Sequence, residues 1–259
     1  MKKKSIYFIL LIACVSIIWG VSYYREKYAY AKAKEYYSIP PQKQSDLKVG
    51  IIGDSWVVRQ NLEKFVQEKL NNKGINAHVF SSGNPGGRSK NIYENLFKPD
   101  GEIYSSKKVI ESQPKYCVIL AGVNDAITQS GPDFYSHHMI MIINTLLHYK
   151  ITPIIVNVPH VGLNENFAEK NDFVKLSNKV SSKLINKGED LTVDDYREQL
   201  FLDLKKNNVL DKVILINPDE VGVNYYTNKN WFADPLHMNH TGYDIFSSFL
   251  AQKINDLEK

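Results

Sequence analysis

The chain has 259 residues, 43% hydrophobic and 23% charged, enough for one large domain or two small ones, with no low-complexity tract and no internal repeat. Its net charge of +4 sits at one end: residues 1–37 carry seven Lys/Arg against two Asp/Glu, a net +5, and the remainder 25 against 26, a net −1. That near-neutral body argues against a nucleic-acid footprint, and two cysteines, Cys14 and Cys117, make no disulfide framework.

The N-terminus places Lys2-Lys3-Lys4 before an uncharged, mostly apolar run from Ser5 to Tyr24. Twenty residues of helix span about 30 Å, the thickness of a bilayer core. Trp19, Tyr23 and Tyr24 fall where an interfacial aromatic belt would sit. The favoured expectation is an uncleaved transmembrane anchor over residues 1–24, with the short N-terminus inside and the rest of the chain in the cell envelope. Two alternatives stand beside it. Leu11-Ile12-Ala13-Cys14 resembles a lipoprotein box, although the chain stays apolar after the cysteine; a cleaved signal peptide would need a shorter core and a small-residue cleavage site. Residues 25–46 read as a stalk, with Ala31 to Tyr37 continuing the helix until Pro40-Pro41 ends it.

The domain is expected over residues 47–259. Lys48 to Ile52 is a short apolar run bounded by turn residues, the pattern of a buried parallel strand, and it closes on Gly53-Asp54-Ser55. Val57, Leu62, Phe65, Val66 and Leu70 recur at helical spacing, which predicts one helix from Val57 to about Lys73. Ile75–Phe80 is the second predicted strand, followed by the glycine-rich loop Ser81–Arg88 without a P-loop lysine pattern. Short helices are expected around Ile92–Leu96 and Ser105–Ser112. Tyr116–Leu120 is the third strand, ending in Gly122-Val123-Asn124-Asp125. Pro132–Tyr149 is a helix, whose His137-His138 pair reads as a helix face and not a metal site. Thr152–Val158 is the fourth strand. Helices follow over Lys170 to about Lys187 and over Val193–Lys206, the latter with Thr192 as N-cap. Val213–Ile216 is the fifth strand, and Thr241 to about Leu257 the closing helix. Five alternations of strand and helix predict an α/β fold of three layers, α/β/α, around a five-stranded parallel sheet.

On such a sheet Ser55, the Gly83–Gly87 loop and Asn124 all follow strands and share its carboxyl edge, where open α/β sheets bind ligands. Ser55 alone could be a plain N-cap. Asp234 and His237, three residues apart in a turn, change that balance. One turn can hold the carboxylate against one ring nitrogen while the other faces Ser55, as acyl transfer requires. Backbone N–H groups of Ser55 and Gly86, with the amide of Asn124, could form a three-donor oxyanion hole.

Four blocks carry a resemblance. Gly53-Asp54-Ser55, Gly86 after Gly83 (with Gly87 a competing alignment), Gly122-Val123-Asn124-Asp125, and Asp234-Pro235-Leu236-His237 followed by Asn239 and Gly242-Tyr243 stand in the order and spacing of the SGNH hydrolases. The chain resembles this GDSL esterase/lipase superfamily from about Leu47 to Lys259, with Trp56 and Met238 as small departures. The resemblance implies an SGNH/flavodoxin-like fold, Ser55, His237 and Asp234 as the catalytic triad, and Ser55, Gly86 and Asn124 as the oxyanion hole. It calls for no cofactor and no metal.

Asp54 and Asp125 are expected to hold loop backbone, Arg88 to be a solvated loop arginine with contact to an anionic substrate as the alternative, and His160 a loop histidine with a place in the pocket wall as the alternative. A metal reading of Asp234, His237 and His240 lacks an additional ligand cluster. The expected activity is hydrolysis of O-acyl esters, O-acetyl above all, on envelope or extracellular carbohydrate. The rivals are a lysophospholipase or thioesterase acting on long acyl chains, acyl transfer to a sugar, and a catalytically idle polysaccharide-binding domain. The expected partners are an acylated carbohydrate or small ester, and the membrane through the N-terminal helix.

Overall fold

The computed structural model describes residues 3–40, 46–172, 174–176, 179–180 and 191–259. They form two compact units, Met1–Lys32 and Ala33–Lys259.

In the first unit Lys3–Tyr28 is one helix, α1. Leu11, Ile12, Val15, Ile17, Ile18, Trp19 and Val21 lie exposed along it. Among the described residues, no helix is long and apolar enough to cross a membrane. The expected transmembrane helix is therefore not supported by the structure.

In the second unit the sheet is built from β1 (Leu47–Gly53), β2 (Ala77–Gly83), β3 (Tyr116–Leu120), β4 (Thr152–Val156) and β5 (Ile214–Ile216). All neighbours are parallel, in the order β2-β1-β3-β4-β5. Val49, Ile51 and Ile52 of β1, and Cys117, Val118 and Ile119 of β3, are wholly buried. This is why these strands read as unbroken apolar runs and not as alternating ones. On one face pack α3 (Leu62–Asn72) and the closing helix α10 (His240–Leu257). On the other, α7 (Pro132–His148) packs against α4 (Ser89–Asn95) and α9 (Val193–Lys206). The three-layer α/β/α architecture with five parallel strands agrees with the sequence expectation.

Local chemistry sets several boundaries. α7 begins with Pro132, whose missing N–H costs nothing in a first turn. α9 is capped by Thr192, where the Asp195 carboxylate accepts from the Thr192 N–H and hydroxyl at 2.6 and 2.8 Å.

Three expectations change. The single helix from Val57 to Lys73 is instead α2 (Ser55–Val58) and α3, separated by a 3-10 turn in which Gln60 and Asn61 have φ of 54° and 57°. Asn61 then caps α3 by accepting from Lys64 N. Short elements α6 (Val123–Ile127), α8 (Leu163–Ala168) and the hairpin β6 (Phe232–Asp234)–β7 (His237–Met238) fill connections the sequence left open, while α5 (Lys107–Glu111) falls within the short helix expected around Ser105–Ser112. The helix expected over Lys170 to about Lys187 falls largely outside the described residues.

The third change concerns the stalk. α1 ends at Tyr28, and residues 33–40 belong to the domain. Tyr36 stacks on His148 at 3.8 Å and 13°. The Tyr149 hydroxyl accepts from Tyr37 N at 2.9 Å and donates to Tyr37 O at 3.0 Å. Tyr37 Oη donates to Leu96 O. Aromatic area and satisfied backbone groups hold this strap down, and a solvated stalk would forgo both.

Candidate active site

β1 delivers Ser55 to the carboxyl edge of the sheet. Gly53 is required there, because a Cβ would run into the Leu120 carbonyl of the neighbouring strand. Asp54 caps α2 by accepting from Trp56 N at 3.0 Å. This makes Ser55 the first residue of the helix, so its N–H has no intrahelical acceptor.

The opposite half comes from the β6–β7 hairpin. Asp234 Oδ1 accepts from Leu236 N at 2.9 Å and His237 N at 3.0 Å, a tight turn that fixes the carboxylate. The same carboxylate lies 2.8 and 2.9 Å from His237 Nδ1, through Oδ1 and Oδ2. His237 Nε2 is 3.0 Å from Ser55 Oγ. The structure thus brings Ser55, His237 and Asp234 into one chain of hydrogen bonds.

Two side chains that the motif reading passed over join these halves. Trp56 Nε1 donates to Leu236 O at 2.9 Å inside the core, and the Tyr243 hydroxyl donates to Trp56 O at 3.0 Å. Arg59 Nη1 donates to Asp234 Oδ2 at 3.0 Å. The tryptophan appeared in the sequence only as a departure from the usual aliphatic residue. Arg59 carried no signal, because it was placed in an unbroken helix.

Partial burial lowers the pKa of His237 below its ordinary value. Asp234 pulls it back up in part, and Arg59 adds to the lowering. For Asp234, burial acts upward, but hydrogen bonds from Leu236 N and His237, together with Arg59, leave its carboxyl below the usual range. A neutral imidazole beside an ionised carboxylate is the state a general base needs.

Gly86 has φ +75°, in the turn closed by Gly87 N to Asn84 O at 2.8 Å. Asn124 lies in the first turn of α6, and Nδ2 donates to Asp54 Oδ2 at 3.2 Å and to Gly87 O at 3.1 Å. Both its amide protons are therefore engaged with the nucleophile's cap and the glycine loop. The sequence expectation placed this amide as an oxyanion donor; in the structure it first ties those two loops together. Burial raises Asp54 to about 7.

Of the remaining candidates, Asp125 is fully buried and accepts from Ser89 N and Oγ at 2.8 and 2.7 Å. Arg88, expected in solvent, is buried; it donates to Ser130 Oγ and lies over the Phe134 ring. His138 is buried with Nδ1 2.6 Å from Phe134 O. His240 packs its ring on Phe65. His160 is no idle loop residue: Nδ1 is 2.7 Å from Asp219 Oδ2, which also accepts from Arg197 at 2.8 Å.

No protein-family model matches the chain, and no curated protein matches it in sequence. The fold does have solved counterparts. A lipase/acylhydrolase from Enterococcus faecalis superposes with a TM-score of 0.59 at 16% identity, covering 82% of this chain and 96% of that one. A GDSL-like lipase from Bacteroides thetaiotaomicron superposes with a TM-score of 0.54 at 16% identity, covering 81% and 88%. The resemblance read from four short blocks thus extends to the fold.

Proposed function

We propose that the protein is a serine esterase that removes O-acyl groups from carbohydrate. The observation that carries this reading is the hydrogen-bonded series Ser55 Oγ, His237 Nε2, His237 Nδ1 and Asp234. As Ser55 Oγ attacks the ester carbonyl, its proton passes to His237 Nε2, while Asp234 holds the ring and stabilises the imidazolium. His237 then gives that proton to the departing alcohol oxygen. In the second half, water replaces the serine by the same transfers. Negative charge developing on the carbonyl oxygen would meet the Ser55 N–H at the start of α2, the Gly86 N–H and the Asn124 amide.

The choice of carbohydrate over a long acyl chain rests on the resemblance of the four blocks to a superfamily with many carbohydrate acetylesterases; a cavity of about 1080 Å3 is lined by none of Ser55, His237 and Asp234. Its wall includes Ala126 and Ile127 of α6 and Val161, next to Gly162, whose N–H donates to Pro235 O inside the Asp234–His237 turn. His160, Asn164, Lys170, Thr192, Asp194 and Tyr226 also line it. Leu163, Phe167, Leu176, Leu191 and Val193 share that wall, so the cavity suits an acyl chain as well as a sugar. The cell envelope is the proposed location, supported by Lys2-Lys3-Lys4 before an apolar segment whose described side chains lie exposed.

A fluorophosphonate probe on the full-length protein should label one residue, and Ser55→Ala should abolish labelling; equal labelling of the variant removes Ser55 as nucleophile. An ester series from acetyl to long acyl, including acetylated polysaccharide, should show the acetylated polymer preferred. Cleavage of long-chain esters alone would overturn the substrate assignment, and absence of both labelling and hydrolysis would leave a binding domain. Membrane fractionation with mass spectrometry of the mature N-terminus tests the location.

A further inference from the structure

The kink after the serine turn is the strained feature nearest the triad. Gln60 and Asn61 are consecutive non-glycine residues with left-handed backbones. Such outliers persist only where their surroundings impose them, and they cluster at functional sites. The kink takes Arg59 out of helical conformation, with ψ 137°. Its backbone N–H still closes the turn on Ser55 O, while its guanidinium reaches Asp234 Oδ2 at 3.0 Å. One residue therefore grips the nucleophile's turn through its backbone and the far end of the triad through its side chain.

We propose that Arg59 is a positioning residue, which orients the Asp234 carboxylate toward His237, the base for Ser55. The inference rests on the serine-esterase reading above. With Oδ2 engaged by Arg59 and Oδ1 by two backbone N–H groups, the carboxylate cannot rotate away from Nδ1. The guanidinium also opposes a second positive charge on the ring. Asp234 is the other charged group acting on His237. Asp54 caps the serine turn behind Ser55, and Tyr243 of α10 is bonded to Trp56 O. As a stabilising ion pair the contact counts for little, since the side chains are 49% and 40% exposed. Its effect belongs to the chemistry.

The test compares full-length wild type, Arg59→Gln and Arg59→Lys. The probe is a small uncharged fluorophosphonate, with the labelling rate at Ser55 followed against pH. Removing the cation raises the pKa of His237, so the acid limb of the Gln variant should move upward by about half a pH unit. Its labelling rate below that limb should fall about threefold, at unchanged melting temperature. Arg59→Lys should restore the limb. NMR titration of the His237 ring in the same proteins gives the shift independently of reactivity. A limb and ring titration unmoved in Arg59→Gln would overturn the inference and leave the esterase reading intact. Failure of the wild type to label would overturn the esterase reading, while the ring titration still decides what Arg59 does to His237.

Discussion

In the proposed mechanism Asn124 serves two roles. Its amide bonds to Asp54 and to the Gly87 carbonyl, so it fixes the serine turn against the glycine loop before any substrate arrives. When an oxyanion forms, the amide can shift part of its donation to the new charge, and only the transition state presents that charge. Losing one such donor typically costs about 3 kcal/mol in the barrier, a hundredfold or more in turnover. Asn124→Ala is expected to lower kcat on a small ester by about that factor and to leave KM nearly unchanged. Steady-state kinetics on the variant check this. A rise in KM at wild-type kcat would assign Asn124 to ground-state binding instead.

At the scale of elements, the site depends on two short pieces meeting: the α2 turn and the β6–β7 hairpin. Trp56 is the link, because its indole N–H satisfies the buried Leu236 carbonyl between Asp234 and His237. Trp56→Phe keeps most of the buried area but orphans that carbonyl, at about 1–3 kcal/mol. Denaturant unfolding should show a loss of this size. Turnover should fall as well, because the hairpin carrying His237 loses its tie to the serine turn; unchanged kcat with lowered stability would make Trp56 a core residue only. These elements also mark what the sequence made legible. The five strands and long helices carry continuous apolar patterns, and the motif residues are reactive types at fixed spacings. The kink at Gln60-Asn61 left no trace, because the apolar periodicity resumes in register across it. The two- and three-residue strands of the hairpin are too short for any period. Arg88 looked solvated because its loop is polar, but its buried partners Ser130 and Phe134 come from a distant helix and turn.

At the scale of the whole molecule, the boundary of the catalytic unit lies earlier than composition suggests. The segment 33–40 carries Lys34, Glu35 and Tyr36-Tyr37 and ends on the first proline of Pro40-Pro41, the look of a tether. Its two tyrosines nevertheless engage Leu96, Phe97, His148 and Tyr149 at the ends of α4 and α7, and Lys34 N donates to Tyr93 Oη. Since α4 and α7 both run back from the carboxyl edge, these ends lie toward the edge of the sheet opposite Ser55. The strap should thus contribute to stability and not to catalysis. The Tyr37 side chain carries the larger share, with a hydrogen bond to Leu96 O, ring contacts to Tyr149 and Phe97, and the Lys107 ammonium over its ring at 5.0 Å. Tyr37→Ala is expected to cost about 2 kcal/mol, which for a domain of this size lowers the melting temperature by roughly 4–8 °C. A chain beginning at Ala33 should melt with the full-length protein, whereas one beginning at Leu47 should melt lower by at least as much as Tyr37→Ala. Ser55 labelling should persist in all three below their transitions. If the chain from Leu47 melts with the chain from Ala33, the strap is a passive tether and the domain begins at β1.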